Sequence, residues 1–210
     1  MLTSTRRRFL SRGDDSGMTL IELLVTMIIM GVIGAVVSAG VISAMQDQRR
    51  AQSRLDAITS TQRALERVTK DLRAADPLVA ADARSVTTLV YHGTACQQRR
   101  YYVDATNQLV QEIARYPAST TCANKTGVLG TATSNVLVKS VVNTTAQPVF
   151  VYQRIDPAQS ALVTVTTPVA STLVSLVDSV TINVKAGLKY GQQPVVVQTA
   201  VDLRNVERNS

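Results

Sequence analysis

The sequence predicts an α+β chain: one long N-terminal helix, apolar in its first half and amphipathic in its second, packed on an antiparallel β-sheet head. Three observations carry that expectation. From Leu23 through Met45, 23 residues pass without a charged side chain, against the roughly 20 that cross a bilayer as a helix. Between Leu55 and Leu72, apolar residues then return at helical spacing. From Ser85 onward, short Val- and Thr-rich runs alternate with turn residues. Aromatics make up only 4% of the chain and tryptophan is absent, so Val, Ala and Thr carry the apolar load, which favours strands after the first helix.

Residues 1–17 read as a leader. Arg6, Arg7, Arg8 and Arg12 outnumber Asp14 and Asp15, which holds this end in the cytoplasm and sends the C-terminus outward. An ordinary secretory signal places a short apolar core ahead of its cleavage site; here the apolar segment follows the polar leader and is far longer. The expected divisions are therefore 1–17, a membrane half of the helix at 18–45, an amphipathic half at 46–76, and a β-rich head at 77–210.

The helix is expected from about Met18 to about Ala75, on the order of 85 Å at 1.5 Å per residue. Its first half is apolar all round, as suits a membrane or a filament core. Gly31, Ala35 and Ala39 fall on one face at intervals of four, small enough for close helix approach. Gly31 and Gly34 also weaken the helix by roughly 1 kcal/mol each relative to alanine, so local loosening there during assembly competes with ordinary membrane-helix glycine content. In the second half, Leu55, Ile58, Gln62, Leu65, Thr69 and Leu72, widened by Val68, form the stripe expected to face a core. Asp76-Pro77 ends the helix, because the residue before proline is pushed out of the α region.

Strands are expected at Val86–Tyr91, Arg99–Val103, Gln108–Arg115, Asn135–Val142, Val149–Gln153, Leu162–Thr166, Val180–Lys185 and Val195–Leu203. A hairpin turn occupies Asp104–Asn107, and a loop runs from Pro117 to Ser134. Cys96 and Cys122 lie in the outward part; an even count in an exported domain argues for one disulfide, with two partly buried free thiols as the alternative.

Catalytic and metal chemistry have no constellation to rest on. One histidine (His92), two cysteines and no nucleophile elbow, P-loop, zinc or calcium motif leave no enzyme class and no cofactor to assign. Asp71, Asp76 and Asp82 are close in sequence but straddle a helix end, which favours capping or solvated roles. The net charge of +7 is spread along the chain, and Arg99-Arg100-Tyr101-Tyr102 is the nearest approach to a nucleic-acid platform. It reads as a solvated strand edge, and nucleic acid is disfavoured as a partner.

Glu22 is the one charge inside the apolar run, and a carboxylate there is costly unless paired. Its setting, Gly17-Met18-Thr19-Leu20-Ile21-Glu22-Leu23-Leu24-Val25, resembles the processing signal of type IV prepilins and type II secretion pseudopilins. Met18 stands where that family most often has Phe. The resemblance implies a pilin-like fold and a non-enzymatic subunit. A prepilin peptidase would cut between Gly17 and Met18 and methylate the new Met18 amine. Thr19, Leu20 and Glu22 would take part in assembly, with Glu22 neutralising the terminal amine of a neighbouring subunit. Implied partners are the peptidase, other pilin or pseudopilin subunits, the assembly platform and the membrane. Residence would be in the bacterial inner membrane, single-pass with the C-terminus outside, and then in a surface or periplasmic filament. The stretch Arg63–Arg73 resembles the helix end of J-type minor pseudopilins and W-type minor pilins, which implies an initiating or priming role; retention of Glu22 argues against the tip subunit that typically lacks it. The alternative is a single-pass anchored binding protein whose leader stays uncut, with a membrane-tethered enzyme third.

Overall fold

A computed structural model describes residues 19–93, 95–117, 122, 128–158 and 160–203. The chain divides into two compact units, residues 1–48 and 49–210. Helix α1 is continuous over Leu20–Arg73. In the first unit every described residue is helical or caps the helix, and every one is exposed. The segment is long and apolar enough to cross a membrane by length and composition. An apolar helix with no buried face needs a partner outside its own unit, whether lipid or another chain.

The second unit carries the core. The C-terminal part of α1 buries Thr61, Ala64, Leu65, Val68, Asp71 and Leu72. The expected stripe is thus partly wrong: Leu55 and Gln62 are exposed, and Ile58 and Thr69 only half-buried. A strict 3-4 spacing has a period of 3.5 and drifts off a face that turns every 3.6 residues. The true face also includes two polar residues, Thr61 and Asp71, that a hydrophobicity pattern skips. Asp71 is accordingly not a cap or a solvated acid.

The helix ends at Arg73, and strand β1 (Ala75–Asp82) follows at once. No strand was expected there, since Asp76-Pro77 and three alanines (Ala75, Ala80 and Ala81) have low β propensity. Proline is admitted because, among the described residues, β1 is an edge strand with β2 (Ser85–His92) as its one strand neighbour, and the pairing is irregular between Ala75 and Ala80. Strands β3 (Ala95–Val103), β4 (Leu109–Arg115) and β5 (Thr133–Val138) complete a five-stranded antiparallel sheet in order 1-2-3-4-5. Arg99–Tyr102 therefore lies in the central strand, not at an edge. The β3–β4 hairpin turns where expected: Asp104 accepts from the backbone N–H of Thr106 and Gln108 at 2.9 and 2.8 Å, and Asn107 takes the left-handed conformation at φ 58°. Those bonds, the one from Gln108 foremost, hold the Asp104 carboxyl below its usual pKa.

Strands β6 (Phe150–Asp156), β7 (Ala161–Val165), β8 (Ser179–Ala186) and β9 (Val195–Asp202) form a second antiparallel sheet in order 7-6-8-9, with the single-turn helix α2 (Ser171–Val174) before β8. One apolar core joins both sheets to the helix, through Val68 and Leu72 of α1, Val86 and Leu109 of the first sheet, and Phe150 and Ile182 of the second. Each such side chain contributes roughly 1.5–3 kcal/mol by its burial. The sheets are also stitched by hydrogen bonds. The Val149 and Phe150 N–H groups donate to Ala83 O at 3.0 and 3.1 Å. Tyr152 is fully buried, and its hydroxyl reaches Asp82 O and Ser85 O at 3.1 and 3.0 Å; burial pushes this phenol well above its ordinary pKa. At Gly187 the chain passes so close to Ser140 that an added Cβ would stand 2.6 Å from its Oγ.

Candidate functional site

The first turn of α1 is built by Thr19. Its carbonyl accepts from the N–H of Glu22 and Leu23 at 3.0 and 3.2 Å, and its Oγ1 accepts from the Glu22 N–H at 3.3 Å. Thr19 is the N-cap and Glu22 the third helical residue, the Thr-x-x-Glu spacing of a capping box. An acid in the first turn also complements the positive end of the helix dipole. The bonds that Glu22 makes in this turn run from its backbone N–H, and its side chain is exposed. Leu20 is the first helical residue and is 85% exposed. Gly17 and Met18, the expected processing site, lie outside the described residues.

Gly31, Gly34 and Ala35 are exposed. A Cβ added at Gly31 or Gly34 meets nothing within 4 Å, so nothing within the described chain requires glycine there. Cys96 and Cys122 are bonded, with Cα atoms 5.0 Å apart. Together with Leu89 and Tyr116 they form a small apolar cluster of their own. Strand alternation puts Cys96 on the face opposite Gln97 and Arg99.

That other face carries a polar cluster which the sequence reading missed. Asp71 of α1 accepts from Arg99 Nη1 and from the Tyr101 hydroxyl. Gln111 Nε2 donates to Tyr101 Oη at 2.7 Å and to Asp71 Oδ2 at 3.4 Å. Arg99 Nη2 donates to Gln97 Oε1 at 3.1 Å, and Arg67 Nη1 to Gln111 Oε1 at 3.4 Å. Burial first, then the hydrogen bond to Asp71 and its negative charge, drive the Tyr101 phenol well above its usual pKa. The cluster has no nucleophile–base pair, and among the described residues no group of three or more His, Cys, Asp or Glu is placed to hold a metal. The available signal was polar residues at alternate positions 97, 99 and 101 of one strand, with an acid three residues past Val68 on the helix. Alternation also splits the Arg99–Tyr102 stretch, expected as a solvated strand edge: Arg99 and Tyr101 point inward, while Arg100 sits over the Tyr102 ring at 4.6 Å on the outer face.

Residues 12–38 match the family model of the prokaryotic N-terminal methylation motif. The chain carries a type IV pilin-like class III signal. The match points to a processed structural subunit of the pilin and pseudopilin kind, and the apolar N-terminal helix fits a membrane-anchored pilin. No curated protein and no solved structure matches the chain.

Proposed function

We propose that this chain is a minor pilin or pseudopilin subunit. It is cut between Gly17 and Met18 by a prepilin peptidase, methylated on the Met18 amine, and drawn from the inner membrane into a filament by its N-terminal helix. Its role there is to initiate or prime assembly with other subunits on the assembly platform. The observation that carries the proposal is Glu22, the one acid on an otherwise uncharged helical surface within the segment matching the methylation motif. That surface is exposed all round, and a free terminal amine, cationic with a reference pKa near 7.7–8.0, would be its natural counter-ion in the next subunit. Gly31, Gly34 and Ala35, which pack against nothing described in their own chain, offer a face for close approach to a neighbouring helix.

Two Glu22 variants separate the counter-ion role from the cap. Glutamine satisfies a capping box as glutamate does but has no charge. Glu22→Gln and Glu22→Ala should both be processed normally, by the N-terminal mass of the mature protein, and both should enter filaments poorly. Rescue by Gln alone would leave only the cap, and an intact Met1 in cells with active peptidase would leave an anchored protein that never joins a filament.

A further inference from the structure

Beside the buried Asp71 cluster lies a cleft of about 320 Å³ lined by Arg67, Arg99, Gln111, Ile113, Thr133, Ser134 and Asn135. Strand register explains the gathering. Arg99, Ile113 and Thr133 stand in one row across β3, β4 and β5, and Tyr101, Gln111 and Asn135 in the next. No acid lines the cleft. Asp71 is already engaged by Arg99, Tyr101 and Gln111, so its charge offsets only one of the two guanidinium groups. Arg67 is exposed, and its one side-chain partner among the described residues is Gln111 Oε1 at 3.4 Å. Arg99 Nε is buried without an acceptor, and the Asn135 amide has no hydrogen bond among the described residues. A cleft with one uncompensated positive charge, unspent guanidinium donors and neutral amide and hydroxyl groups suits a single carboxylate, which a guanidinium fork receives through both oxygens. A dianion would overcompensate that charge.

The position of the cleft indicates what carries the carboxylate. Among the described residues β5 is an edge strand with β4 as its one strand neighbour, and Thr133–Val136 are exposed. An edge with free backbone groups is a template for another extended chain. We propose that β5 and this cleft form a docking site for an extended acidic segment of a partner chain, which pairs with the strand edge and places one Glu side chain against Arg67 at the mouth of the cleft. The site does not depend on which filament, if any, the chain enters.

The test uses the full-length protein in detergent and two fluorescent peptides, acetyl-Val-Thr-Glu-Thr-Val-amide and its Gln counterpart, followed by anisotropy. The Glu peptide should bind saturably and about tenfold more tightly than the Gln peptide, the worth of one charge-assisted contact. Arg67→Gln should erase that difference, and Asn135→Leu should weaken the Glu peptide; both residues are exposed, so folding is spared, as circular dichroism would verify. Equal affinity for the two peptides would overturn the proposal. So would sodium acetate displacing the Glu peptide with an affinity equal to the peptide's own, which would mark a small-acid site that ignores the strand edge.

Discussion

Asp71 is one carboxylate serving three donors beneath a helix, and its surroundings decide what a substitution does. A buried ion pair adds little net stability, because desolvation offsets most of the attraction, but removing one partner strands the other. Asp71→Ala leaves Arg99 charged, 86% buried by side chain and without its carboxylate, and should lower the unfolding free energy by about 3–5 kcal/mol. Tyr101→Phe removes one donor while Arg99 and Gln111 still serve the acid, so its cost should be about 1–2 kcal/mol. Urea unfolding of the two variants checks the order; equal losses would mean that the phenol, not the charge, holds the cluster. Tyr101 is held protonated by its burial and by Asp71, so it remains a donor throughout the neutral range. In the sequence, Asp71 sits between Lys70 and Arg73 and looks solvated. Only its place on the helix face, fixed by what packs there, shows otherwise.

The second half of α1 illustrates how elements are read and where reading stops. Its existence and amphipathic character follow from the spacing of its apolar residues, and its approximate end from Asp76-Pro77. Its rotation about its own axis does not, because two of the six buried positions are polar and a 3.5-residue pattern fits the visible leucines as well as a 3.6-residue one. Leu65 and Leu55 separate the alternatives. Leu65 is 3% exposed and Leu55 58%, so Leu65→Ala should cost about 2–5 kcal/mol and Leu55→Ala less than about 0.5 kcal/mol, by the same urea measurement. Strands β2 to β9 were legible for a different reason, alternation reporting one buried face whichever sheet a strand joins, whereas β1 was not. The division into two sheets was not legible, since strand partners are set by long-range ladders such as the one that pairs Phe150 with Ile182. The first turn of α1 was half legible, its acid recognised and its Thr-x-x-Glu cap overlooked.

Taken as a whole, the molecule keeps its buried core and its methylation-motif segment in different stretches of chain. Among the described residues every buried one lies at Thr61 or beyond, and none of residues 19–48 is buried, so the head owes its core to residues 49–210. The disulfide strengthens that core from the face of the first sheet opposite the helix, where Cys96 and Cys122 close a loop with a sequence separation of 26. On the chain-entropy model such a closure stabilises by about 3.5 kcal/mol. Residues 49–210 produced alone should therefore fold and unfold at the urea midpoint of the full-length chain in detergent. Replacing both cysteines with serine should lower the stability of each by that same amount, because Cys96 and Cys122 belong to the head in either form. An isolated head that unfolds earlier than the full chain with its disulfide intact would mean that the exposed helix supplies folding energy to the head.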